Sequence, residues 1–218
     1  MDTSSEEFFH DFRQELMAGA EASGDFQLTE FMEAIASDLI EGGFIEGFEF
    51  CHYRAHRGMR VDGYWFNDEG TLALFVADFE SRPELASLTQ TDVSTYFKRL
   101  TNFFQSSRNK ALYTQLEETS PEYGLAREIS DREDVQRVNL FLVSERVLSD
   151  RLQSIDDFES EDGILFTHNV WDISRLHRQS SSRGHTEALD LDLLDTFGRG
   201  IACLPAHLGS EAYPSYLV

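Results

Sequence analysis

The chain has 218 residues, of which 41% are hydrophobic and 18 are Phe, enough for one sizeable core and too much for global disorder. Its 40 Asp+Glu against 18 Lys+Arg give a net charge of −22, which repels phosphate at long range and argues against broad, nonspecific nucleic-acid binding by this chain alone. No apolar run approaches membrane-spanning length.

Ser4-x-x-Glu7 reads as a capping box before Phe8, Phe9, Phe12 and Leu16, an amphipathic first helix ending near Gly24. Thr29 is placed to cap a second helix, whose Leu28, Phe31, Met32, Ile35 and Leu39 form an apolar stripe and whose stop is Gly42-Gly43. Phe48 to Tyr53 reads as a strand. A hairpin follows, with strands at 60–66 and 72–79 around the turn cluster Asn67-Asp68-Glu69-Gly70. Ser81-Arg82-Pro83 breaks the chain before a long helix from about Thr91, with Val93, Tyr96, Phe97, Leu100, Phe103 and Phe104 at helical spacing. Ser120-Pro121 starts another helix. Residues 138–143 and 164–171 read as buried strands, and Asp172 caps a short helix through Ile173, Leu176 and His177. Glu187 to Leu194 alternates acid and Leu, as a half-exposed strand does.

The hairpin is where this chain puts acids inside hydrophobic strands. With Gly70 as a bulge, Asn67 pairs with Thr71, and Asp62 sits opposite Val76 and diagonal to Asp78. Asp62, Asp78 and Glu80 then share a face, and diagonal neighbours roughly 7–8 Å apart can be bridged by one hydrated divalent ion. Both faces are apolar, so the carboxylates need a cation, a donor or water. Arg60 and Arg82 are near enough in sequence to be those partners, which is the structural alternative to a metal.

The order helix, strand, strand, strand, helix, strand from Thr29 to Val143 resembles the core of the restriction-endonuclease-like, or PD-(D/E)XK, nucleases. That resemblance implies an α/β fold: a central mixed sheet flanked by helices, with an N-terminal helix (1–26), a nuclease-like core (27–150) and a C-terminal α/β extension (151–218). It also implies catalytic roles. Asp62 matches the family's first acid and Asp78 its second, both holding Mg²⁺ to polarise a phosphate and acidify a water. Glu80 stands where the family has Lys, so Lys98 on the following helix is the candidate replacement. Glu30 or Glu33 fills the place of a helix acid that joins the metal in some members. On this reading Asp78→Ala abolishes Mg²⁺-dependent cleavage and leaves the fold intact, or stabilises it by relieving acid–acid repulsion.

A second resemblance runs across nearly the whole chain. Phe8-Phe9-His10-Asp11-Phe12-Arg13, the segment from Gly58 to Tyr64, the strand from Leu72 to Phe79, Val170 to His177, Cys203-Leu204-Pro205-Ala206 and Tyr213 to Val218 together look like the N-terminal part of the abortive-infection phage-resistance (AIPR) family. It implies a role in bacterial defence against phage, and a downstream region of the same protein after the apolar Tyr213–Val218 end. As partners, that downstream domain and a homo-oligomer are expected, with nucleic acid disfavoured by charge. The rival to a nuclease is a catalytically degenerate descendant acting as a binding or oligomerisation module, which Glu80 and the charge of −22 favour. A third reading is an unrelated α/β domain with structural acids.

Other signals are weaker. Cys51 and Cys203 form no CxxC pattern, and a reduced cytoplasmic setting is the default. Met1-Asp2-Thr3-Ser4-Ser5-Glu6-Glu7 is no secretory leader. His52-x-x-x-His56 has metal-ligand spacing but lies on a strand-to-turn segment, where solvated histidines are the simpler reading. Arg175, His177 and Arg178 make a small basic spot that either contacts phosphate or balances Asp172. There is no P-loop and no GxGxxG, so a nucleotide cofactor is not indicated.

Overall fold

A computed structural model describes residues 3–24, 26–55, 58–149 and 155–184, with 204–205 and 216–217. They fall into two compact units, 1–181 and 182–218. Among its described residues the second holds an antiparallel pair, Leu204–Pro205 with Tyr216–Leu217. The strand expected at 187–194 lies outside the described residues.

The first unit is built on a six-stranded mixed sheet. Its strands are β1 (Glu49–Ala55), β2 (Met59–Phe66), β3 (Thr71–Asp78), β5 (Arg137–Ser144), β7 (Phe158–Glu159) and β8 (Leu165–Trp171), in spatial order β1-β2-β3-β5-β8-β7. A small separate parallel pair is made by β4 (Ser87–Leu88) and β6 (Val147–Leu148). The meander β1-β2-β3 is antiparallel, whereas β3, β5 and β8 run parallel. Parallel neighbours cannot be joined by a hairpin. The link from β3 to β5 is accordingly long and carries α3 (Gln90–Lys110), a 3-10 turn at Leu112–Gln115 and α4 (Pro121–Asp131). The sheet does not end at residue 150, because β8 pairs with β5 along its length.

Strand alternation divides the core into two layers. Leu72, Leu74 and Val76 of β3, with Val138, Leu140 and Leu142 of β5, meet Val93, Phe97, Leu100, Phe103 and Phe104 of α3 and Leu125 and Ile129 of α4. On the other layer Ala73, Phe75, Ala77, Phe141 and Val143 meet α1 (Thr3–Ser23), α2 (Gln27–Glu41) and α5 (Ile173–Gly184) through Phe9, Leu16, Phe31, Ile35, Leu39 and Leu176. Helices therefore cover both faces, as a hairpin apolar on both sides requires.

The helix signals hold at α3, α4 and α5 but not at the start of α1, which already begins at Thr3, so Ser4 lies inside the helix and is not its cap. Thr89 and Asp92 form a reciprocal capping box on α3, which begins at Gln90, one residue before Thr91. Ser120 caps α4 with Pro121 inside its first turn, and Asp172 accepts the Arg175 N–H at 2.9 Å. Thr29 is not the cap of α2. That helix begins at Gln27 after Phe26, which makes no side-chain cap, and Thr29 is buried within the first turn. No helix among the described residues is long and apolar enough to cross a membrane.

Candidate functional site: two buried acid–arginine pairs

The hairpin register is the one its turn residues dictate. Phe66 faces Leu72 and Gly63 faces Phe75, and the Asn67 N–H donates to the Thr71 carbonyl at 3.0 Å. Asn67 Oδ1 accepts the N–H groups of Glu69 and Thr71, an Asx turn. Gly70 has φ +76°, and a Cβ there would lie 2.3 Å from the Asp134 carbonyl. Only glycine fits both demands.

That register brings Asp62 and Asp78 to the same end of β3, but neither acid faces an open space. The β2–β3 ladder stops at Gly63. Continued alternation would give the Ala77 N–H to the carbonyl of Val61; it goes instead to Asp62 Oδ2 at 2.8 Å. The same oxygen lies 2.8 Å from Arg60 Nε, and Oδ1 lies 2.6 Å from His52 Nδ1. A bulge sets up the histidine contact. Phe50 pairs with Gly63 and Tyr53 with Val61, so Cys51 and His52 together oppose the single Asp62. Cys51 goes into the core and His52 to the carboxylate. Asp62 is fully buried.

Asp78 is 2% exposed and equally engaged. Oδ2 accepts from Ser144 Oγ and Arg146 Nε, each at 2.6 Å, and Oδ1 accepts from the Tyr96 hydroxyl at 2.8 Å. The parallel pairing of β3 with β5 sets Ser144 directly beside Asp78. Arg146 continues to Asp92 at 3.1 Å and to the Ser87 carbonyl at 3.3 Å, tying the start of α3 to the sheet. Electrostatics follow the contacts. Burial together with the Asp78 carboxylate pushes the Tyr96 phenol up to about 12, so it stays a donor. Burial works against the charge of Arg146, yet Asp78 and Asp92 outweigh it and raise its pKa. Burial likewise pushes Asp92 up, but Thr89 and Arg146 more than offset it and the net direction is down.

The remaining expected site residues lie apart from this network. The Glu80 side chain is 61% exposed and pairs with Arg82 at 2.6 Å. Its backbone N–H, with that of Arg82, is received by buried Glu145. Lys98 is exposed, and the α3 side chain that reaches Asp78 is Tyr96. Glu33 is exposed on α2, the helix of the other layer, and Glu30 lies against Gly19 of α1.

A divalent ion needs carboxylate oxygens free to ligate it. All four oxygens of Asp62 and Asp78 are taken by N–H or O–H groups or cationic nitrogens, and Arg60 and Arg146 already supply the positive charge. No group of three His, Cys, Asp or Glu among the described residues is arranged to hold a metal. The residues present do not fit Mg²⁺.

Four participants were not signalled by the hairpin itself: His52, Tyr96, Ser144 and Arg146. The signal for the last two is Ser144-Glu145-Arg146 closing the apolar strand β5, which any parallel β3–β5 pairing delivers to the same end as Asp78. The basic spot is internally satisfied in part. Arg175 stacks 3.7 Å from the Trp171 ring centroid and donates to the Val170 carbonyl, and His177 stacks on Phe8.

Residues 31–178 match the family model described as Abortive infection phage resistance protein N-terminal domain. No curated protein and no solved structure matches the chain.

Proposed function

Given that the chain belongs to the family of abortive-infection phage-resistance N-terminal domains, we propose that it is a non-catalytic binding module of a phage-defence protein. The family sets its context as abortive infection, in which phage resistance is the outcome. The element order α2-β1-β2-β3-α3-β5, with β4 inserted before α3 and α4 after it, supports descent from a restriction-endonuclease-like core. The observation that carries the non-catalytic reading is the pairing of both hairpin aspartates with buried arginines, Asp62 with Arg60 and Asp78 with Arg146. A metal-dependent nuclease needs these acids to be open to a cation and a phosphate. Here they are structural anions that fix the end of the sheet. Glu80 and Lys98, the other members of the expected set, face solvent.

Phage plating on cells that carry the complete protein tests this. The Glu80→Gln and Lys98→Gln variants remove the charge from exposed side chains, so they spare the fold. Protection at the unsubstituted level is expected in both. Loss of protection in either variant, with unchanged thermal stability, contradicts the proposal.

A further inference from the structure

Arg60 has a second environment besides Asp62. It lines a cavity of about 360 Å³ together with Arg54, Arg99, Ala55, Gly58 and Met59. Half of these residues are arginines, in a chain whose net charge is −22. Arg54 and Arg60 are direct cross-strand partners on β1 and β2, and like charges placed opposite one another destabilise a ladder. Asp62 Oδ2 lies 2.8 Å from Arg60 Nε and neutralises the guanidinium as an ion pair, without an aligned hydrogen bond from that nitrogen; the terminal nitrogens are further donors of the group. Arg54 and Arg99 make no ion pair among the described residues. The Arg99 guanidinium lies 5.5 Å from the Tyr96 ring centroid, close to the Asp78 network. Asn102 of α3 donates to the Gly58 carbonyl at 3.1 Å, which ties the cavity wall to the helix.

We infer that this cavity binds a small phosphate-bearing ligand, a phosphate ester or pyrophosphate of nucleotide size, held by Arg54, Arg60 and Arg99. The inference rests on the reading of the domain as a binding module and names the ligand class for it. Guanidinium groups match phosphate oxygens with paired, charge-assisted hydrogen bonds. A bound anion offsets the repulsion among the three guanidinium groups. The volume lies in the range of small-molecule sites. Among the described residues no aromatic side chain lines the cavity, so the phosphate is what is recognised. The ligand is small because a polymer leaving the cavity would run its phosphates along a strongly acidic protein.

Calorimetric titration of the complete chain in EDTA, with pyrophosphate, ADP and a short single-stranded DNA, tests the assignment. Pyrophosphate and ADP are expected to bind, more weakly as salt rises. Arg54→Gln and Arg99→Gln each weaken both by roughly tenfold, whereas Lys98→Gln, outside the cavity, does not. No binding of either ligand, unchanged affinity in the double Arg54→Gln/Arg99→Gln variant, or binding of the DNA alone overturns the assignment and leaves the non-catalytic reading standing. Repeating the titration in Mg²⁺ separates the two claims. Hydrolysis of bound ADP that is lost with Asp78→Asn overturns the non-catalytic reading and leaves the phosphate site in place.

Discussion

Arg146 Nε lies 2.6 Å from Asp78 Oδ2, a contact between residues 68 positions apart that the parallel pairing of β3 and β5 creates. Both partners are buried. Removing one member of a buried pair strands the other charge, which typically costs about 3–5 kcal/mol. Asp78→Ala is therefore expected to destabilise the domain by about that much, the reverse of the gain that acid–acid repulsion would give. The double variant Asp78→Ala/Arg146→Met should lose markedly less than the sum of the singles. Urea unfolding of the four proteins measures the coupling, and additive losses count against the pair.

Tyr96 supplies the other Asp78 oxygen with its hydrogen bond. Tyr96→Phe keeps the ring and removes only the hydroxyl, so a loss of about 1 kcal/mol is expected from the same unfolding curves. A neutral substitution would mean that the hydroxyl does not hold Asp78.

Glu145 gives a pH dependence with a defined sign. Burial raises its pKa above the ordinary 4.5, with Asp78 adding to the shift and the backbone N–H groups of Glu80 and Arg82 opposing it. A carboxyl whose folded pKa is raised binds its proton more tightly in the folded state. Its contribution to stability therefore falls as pH rises from 4.5 through the folded value. Glu145→Gln keeps an acceptor for both N–H groups and cannot titrate. Stability measured between pH 4.5 and about 7 should decline less steeply in this variant. Asp92 acts in the opposite sense and in a lower window, losing its contribution as pH falls below its ordinary 3.8.

Cys51 is fully buried, and burial, with nearby carboxylates, pushes its thiol up to about 12. The thiolate is the reactive form. In a Cys203→Ser background, Cys51 should resist alkylation at neutral pH until the protein is unfolded by denaturant. Rapid labelling of the folded chain would show that the bulge region opens.

Gly70→Ala is expected to destabilise by about 1–3 kcal/mol, because it combines a positive φ with a clash against the Asp134 carbonyl. Thermal unfolding measures it. A loss of a few tenths would mean that the turn can rearrange without disturbing the register.

The hairpin shows how far the sequence carries. Asn67, Asp68, Glu69 and Gly70 fix the register by local turn chemistry, so the opposition of Asn67 and Thr71 was legible. The two apolar layers were legible too, because each strand and helix carries its own periodicity. What meets the acids was not. His52 arrives through a bulge that two-residue alternation does not encode, and Ser144 and Arg146 arrive through a pairing across a long crossover. Arg60 was near in sequence, yet choosing between it and a metal required the burial of Asp62 and the diverted Ala77 N–H. Lys98 and Tyr96 differ by two positions on α3, which at about 100° per residue puts them on well-separated directions, and only Tyr96 reaches Asp78.

The central claim is that arginines, not a metal, neutralise Asp62 and Asp78. Calorimetric titration of the complete chain with Mg²⁺, run beside an Asp78→Asn variant, tests it most directly. The account predicts no saturable Mg²⁺ binding to either protein. Stoichiometric binding to the unsubstituted chain that disappears with Asp78→Asn would contradict it.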